Sequence, residues 1–205
     1  MGFDCQGWRR SGFWFVLLCL SILGLLAGCT LEAGLDPPGE VTAHVTVDMN
    51  SGIPVASTSG LPTGPWQGMR APDFRLVDLD GKEVRLKDLL QKPVLLNFWD
   101  PSSAPSLEEL PDFETVQKAM GDRITILGIS RGSARETVRD FVRQHGYTWR
   151  FAVDTEQAVS RQYEVLGVPT SFFINKYGTI TARKPGVLNL TELDRLARQA
   201  MGLNI

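Results

Sequence analysis

A chain of 205 residues, 43% hydrophobic and 21% charged, is long enough for one globular domain plus accessory segments. Its net charge of -2 and pI near 5.7 argue against a nucleic-acid partner, which would favour a basic face. The three cysteines, Cys5, Cys19 and Cys29, all fall near the N-terminus, outside the part that should fold.

The chain opens on an export signal, residues 1–28. Arg9-Arg10 supplies the positive region, residues 13–26 the apolar core and Leu26-Ala27-Gly28-Cys29 the processing site. Leu-Ala-Gly-Cys is similar to a bacterial lipobox, which implies cleavage before Cys29 and lipid on its thiol. Each buried CH2 contributes ~0.8 kcal/mol, so several acyl chains anchor a protein stably to a membrane. An uncleaved helix is the alternative, but the apolar run is shorter than the ~20 residues a span needs. Either way the remainder lies outside the cytoplasmic membrane. Residues 29–66, rich in Gly, Pro, Ser and Thr, read as a flexible tether. Within it Val41, Ala43, Val45 and Val47 alternate with Thr42, His44, Thr46 and Asp48, which leaves open a disordered spacer or a strand added to the domain edge.

The folded domain is expected over 67–205. Phe74, Leu76, Leu79, Asp80-Gly81, Val84 and Leu86 predict a hairpin, with Asp-Gly at its turn. An apolar run over 93–99 predicts a buried strand that breaks at Asp100-Pro101, and a helix follows from about 103 to 120. Residues 123–130 form the next strand. Ser133 with Glu136 has the spacing of a capping box, opening a helix with Val138, Phe141 and Val142 on its apolar face, and His145-Gly146 ends it. A short strand at 151–153, a helix at 155–163, a strand at 171–175, a turn at Tyr177-Gly178, a last strand at 179–182 and a helix from about Thr191 complete the domain. That order predicts an α/β fold with a central mixed sheet flanked by helices and an N-terminal β-hairpin.

The stretch Asn97-Phe98-Trp99 running into Ser103-Ala104-Pro105-Ser106, with Glu109-Leu110-Pro111 one turn later, resembles the redox motif of the thioredoxin-like TlpA/ResA family. Ala71-Pro72-Asp73-Phe74, Leu86-Lys87-Asp88-Leu89 and Gly167-Val168-Pro169-Thr170 carry the same resemblance to redoxin domains of the AhpC/TSA kind, over residues 71–201. It implies a thioredoxin-like fold with a cis bond before Pro169. It also implies an extended substrate peptide received beside Val168, Pro169 and Thr170, with Trp99 nearby. Pro169 is equally read as retained for folding alone.

Both positions where the family carries cysteine hold serine here, Ser103 and Ser106. A helix N-terminus lowers a thiol's pKa enough to make it a nucleophile; a hydroxyl starts too weakly acidic, and serine forms no disulfide. No catalytic residue is therefore expected at these degenerate positions. Ser103 reads as the helix N-cap in the family register, and a competing register has Ser106 as cap with Glu109 as capping-box partner. A serine nucleophile lacks a base, because His44 lies in the tether and His145 at a helix end. No metal and no cofactor are expected: the domain has no cysteine pair, and Phe98, Trp99, Phe172 and Phe173 read as core aromatics. The sequence thus implies a lipid-anchored, extracytoplasmic, redox-inactive module that binds a protein or peptide segment and no nucleic acid. By resemblance alone it would be a thiol-disulfide oxidoreductase or peroxidase, for example in cytochrome c maturation.

Overall fold

The computed structural model describes residues 60–203. The signal segment, Cys29, most of the tether and the alternating stretch 41–47 lie outside the described residues.

A hairpin opens the domain: β1 (Arg75–Asp78) pairs antiparallel with β2 (Glu83–Arg85), and the Asp78 carboxylate collects the N–H groups of Asp80 and Lys82 in the turn. One helical turn, α1 (Leu86–Leu89), leads to β3 (Val94–Trp99), which is buried along its whole length. Helix α2 (Ala104–Met120), β4 (Thr125–Arg131), α3 (Arg135–His145) and β5 (Arg150–Asp154) follow. After the short α4 (Ala158–Gln162) come β6 (Thr170–Ile174), β7 (Ile180–Pro185) and α5 (Leu190–Ala200).

The seven strands form one mixed sheet in the order β2-β1-β5-β4-β3-β6-β7, with β3, β4 and β5 parallel and the remaining pairs antiparallel. Two successive crossovers that step in one direction place α2 and α3 on one face. There Leu95, Trp99, Phe113, Val138, Phe151, Phe173 and Leu193 form a core beneath α2, α3 and α5. The alternate residues Val94, Leu96 and Phe98 face the other side and pack with Phe74, Leu86, Val159, Tyr163 and Phe172. Gly128 lets the first core close. A Cβ there would come within 2.6 Å of the Phe151 ring and 2.8 Å of the Trp149 ring.

Gly146 caps α3 in the left-handed conformation, with φ 68°. Two local readings are corrected. Ser133 does not cap α3: the N-cap is Ala134, and the Ser133 hydroxyl donates instead to Asp100 Oδ2 at 2.7 Å. A hydrogen bond to a buried carboxylate outweighs one to an exposed helix end. The tether also ends earlier than residue 66. Gly64 N–H donates to Arg70 O (3.0 Å), Arg70 N–H to Pro62 O (2.9 Å), and Gly68 and Met69 exchange backbone hydrogen bonds with Ile180 at the edge of β7. The sheet edge supplies partners that composition alone does not reveal.

Candidate functional site

The site is assembled where β3 ends, α2 begins and the loop before β6 approaches. Asp100 terminates β3. Its buried carboxylate accepts hydrogen bonds from the Ser102 N–H (2.9 Å), the Ser102 hydroxyl and the Ser133 hydroxyl, tying the entry to α2 to the loop before α3. The chain then turns, Ser103 N–H donating to Asp100 O. Ser103 is the N-cap: its backbone is extended and its Oγ accepts from Ser106 N–H at 3.4 Å. Pro105 falls in the first turn, where its missing N–H leaves no gap in the helical ladder.

The competing register is thereby excluded. Ser106 lies inside the helix, fully buried, and its hydroxyl has no hydrogen-bond partner among the described residues. Glu109 turns away from the helix end into the protein, because two donors wait there. Its Oε1 accepts from Asn97 Nδ2 at 2.6 Å and its Oε2 from the backbone N–H of Leu188 at 3.0 Å. Burial pushes the Glu109 carboxyl up to about 7, against the pull of those two donors.

The orphaned Ser106 hydroxyl has a measurable consequence. A buried unpaired polar group costs about 1–3 kcal/mol, and alanine is the better helix former. Ser106→Ala is expected to stabilise the protein by about 1 kcal/mol, read from the midpoint of urea unfolding.

Beside the end of β3, where Phe98 pairs with Thr170, the Val168–Pro169 peptide bond is cis. Pro169 O accepts from Gly186 N–H at 2.9 Å, which draws the β7–α5 loop against it. A concavity of about 210 Å³ opens between Leu166, Val168, Pro169, Thr170, Arg183, Pro185 and Gly186. Neither the N–H nor the C=O of Val168 has a hydrogen-bond partner among the described residues. Leu166 is 93% exposed and Val187 46%, while the Arg183 guanidinium stacks 4.2 Å over the Trp66 ring and donates to Glu164 O. A depression of about 490 Å³ among Pro93, Arg123, Tyr177 and Met201 lies at the opposite end of β3, away from every motif residue.

The structure brings Val168, Pro169 and Thr170 together at this concavity and leaves Trp99 out. Trp99 is fully buried, packed on Phe141 and Phe151 with ring centroids 5.4 and 5.5 Å away, so it offers no surface to a peptide. Its face of β3 points into the core beneath α2 and α3. Thr170 contributes to the floor only, its hydroxyl donating to Gly167 O at 2.7 Å. Sequence reasoning missed Leu166 and Val187, apolar residues flanking glycines in loops, and Glu109 as a buried bridge. The signal for the last was Asn97, a polar residue inside an apolar strand that needs a buried partner. Among the described residues no cluster of three or more metal-ligating side chains occurs, and no helix is long and apolar enough to cross a membrane.

Comparison with known proteins adds to this geometry. The family model described as the AhpC/TSA family matches residues 67–183. The thioredoxin-like protein YneN of Bacillus subtilis is 30% identical over 135 residues, 64% of this chain and 79% of that protein. The thiol-disulfide oxidoreductase ResA of Bacillus anthracis is 34% identical over 128 residues, 62% of this chain and 74% of that protein. Among solved structures, a thiol:disulfide interchange protein from Chlorobium tepidum superposes with a TM-score of 0.60 at 26% identity, covering 67% of this chain and 99% of that one. The exposed lipoprotein thioredoxin Etrx1 from Streptococcus pneumoniae does so with a TM-score of 0.57 at 26% identity, over 62% and 99% of the two chains.

Proposed function

The chain belongs to the AhpC/TSA family, and from that premise we propose that it is a lipid-anchored, extracytoplasmic binding module without thiol chemistry, whose groove beside Pro169 receives an extended protein segment. One contrast carries the reading. Ser103 is spent as a helix cap and Ser106 is sealed in the core, yet the groove beside Pro169 keeps an unpaired backbone at Val168 and exposed apolar residues at Leu166 and, next to Gly186, Val187. Unpaired N–H and C=O groups accept a peptide by strand-like hydrogen bonding, and those residues select apolar side chains. Anchoring is supported by the lipobox-like Leu26-Ala27-Gly28-Cys29 and by the neighbour described as an exposed lipoprotein thioredoxin.

The purified full chain is expected to show no insulin reduction and no peroxide consumption above buffer. It should bind a fluorescein-labelled, thiol-free peptide of alternating serine and leucine saturably by anisotropy. Burial of one apolar side chain is worth about 1.5–3 kcal/mol, so Leu166→Asp combined with Val187→Asp should weaken that binding at least about tenfold. Leu166 faces solvent and Val187 is about half exposed, neither lying in the core, so the variant retains its fold. Robust insulin reduction by the wild-type chain would establish the oxidoreductase activity of its ResA relatives and overturn the reading.

A further inference from the structure

Of the described residues that line the concavity beside Pro169, one is charged: Arg183 of β7. Strand register explains its place. Arg183 pairs with Phe172 across β6 and β7, so both side chains leave the sheet on the face covered by α4 and the loop after it. Lys184, one residue on, leaves the opposite face and pairs with Glu192 of α5 at 2.5 Å.

The Arg183 guanidinium is fixed from three sides. Its carbon stands 4.2 Å from the centre of the Trp66 ring and 5.5 Å from that of Phe172, and Nη2 donates to Glu164 O at 2.7 Å. Glu164 offers that carbonyl from a left-handed backbone, with φ 50°, which a non-glycine residue rarely adopts. The cation is thus held by aromatic faces and a neutral carbonyl. Among the described residues no carboxylate forms an ion pair with it, and its Nε and Nη1 have no hydrogen-bond partner.

We propose that Arg183 makes the groove selective for a segment that carries a carboxylate, gripped through the N–H groups that the fold leaves free. This deepens the peptide-binding reading, on which it rests, by naming the chemistry of the segment. A guanidinium presents five N–H donors in a planar fork that matches the two oxygens of a carboxylate. The bond to Glu164 O uses only part of that capacity. A cation set among apolar groups without a counter-charge loses hydration that the two rings restore only in part. An arriving carboxylate supplies the missing partner. Stacking and the Glu164 carbonyl have already restricted the side chain, so little freedom is left to lose on binding. No acidic side chain lines the concavity, so a basic segment meets like charge and no compensation.

The experiment uses the full chain and three forms of the labelled serine-leucine peptide. One has a central glutamate and an amidated end, one has glutamine there and an amidated end, and one is the glutamine peptide with a free terminal carboxylate. The glutamate peptide should bind about fivefold more tightly than the amidated glutamine peptide, the upper end for an ion pair near the surface. A gain shown by the free-ended peptide instead also supports selection of a carboxylate and places it at a chain end. Arg183→Gln should bind all three peptides alike. A guanidinium that only braced Trp66 and Glu164 would, on removal, weaken all three by one factor and leave the preference intact. Arg183→Lys, which keeps the charge and loses the fork, should retain part of the preference. Equal affinity of the wild type for all three peptides, or a preference that persists in Arg183→Gln, overturns the proposal and leaves the groove reading standing. Binding of none of the three removes both.

Discussion

Replacing Ser103 and Ser106 together by cysteine is expected to produce a pair that oxidises reversibly and reduces insulin, where the wild-type chain does neither. Ser103 occupies the N-cap of a 17-residue helix, so a thiol there meets unpaired N–H groups and the positive end of the dipole, which favour the thiolate. Ser106 sits one turn on, buried and without a polar partner. A weakly polar thiol suits that slot better than a hydroxyl does. Opposing this, the Asp100 carboxylate stands at the same helix end and disfavours a second negative charge. Its hydrogen bonds from Ser102 and Ser133 already engage it, so the attacking thiol should still ionise more readily than free cysteine. The single variants separate the two positions: Ser103→Cys should react quickly with iodoacetamide, and Ser106→Cys should be protected until the protein unfolds. Formation of a disulfide only in the double variant, seen as loss of thiol labelling that dithiothreitol reverses, supports the geometry. No disulfide under an oxidising glutathione buffer would show that the helix end does not hold the two positions in register.

The elements legible in the sequence are those whose cause is local. The run Val94-Leu95-Leu96 announces a strand buried on both faces, Ser103 announces a cap, and His145-Gly146 announces a helix end; each is where the structure has it. The same local logic fails at Ser133 with Glu136 and at Ser106 with Glu109, two capping-box spacings that cap nothing. In both, a buried group that is distant in sequence outbids the helix terminus: the Asp100 carboxylate takes the Ser133 hydroxyl, and Asn97 with Leu188 takes the Glu109 carboxylate. The insertion of β1 beside β5 is invisible for a related reason, since periodicity states which face a strand buries but not which neighbour it joins. Trp99 separates two kinds of inference. The resemblance sets it near the peptide, the apolar run reads it as a core aromatic, and the alternation of β3 places it in the core. Leu166 shows the converse, an apolar residue that the fold leaves 93% exposed at the edge of the concavity, which no periodicity in the sequence announces.

Stability between pH 5 and 8 should fall as pH rises, and Glu109→Gln should abolish the fall. A carboxyl whose pKa is higher in the folded than in the unfolded protein binds its proton more tightly when folded. Its contribution is complete below the unfolded value and is lost as pH climbs through the folded one. For Glu109 that window runs from an ordinary 4.5 to about 7. At about 1.4 kcal/mol per pH unit the full loss is roughly 3 kcal/mol. The other perturbed carboxylates act elsewhere: the Arg85 guanidinium holds the exposed Glu83 below its ordinary range. Burial pushes Asp78 and Glu114 up, but Arg150 with the turn N–H groups, and Thr148 with Lys118, outweigh it and hold both below their ordinary range. Their stabilisation is lost only in acid, below this window. Urea unfolding at pH 5, 6, 7 and 8 should therefore show a wild-type free energy that declines and a variant free energy that stays level. The variant should be close to wild type at pH 5 and more stable at pH 8. Parallel pH profiles for the two proteins would place the proton on some other group.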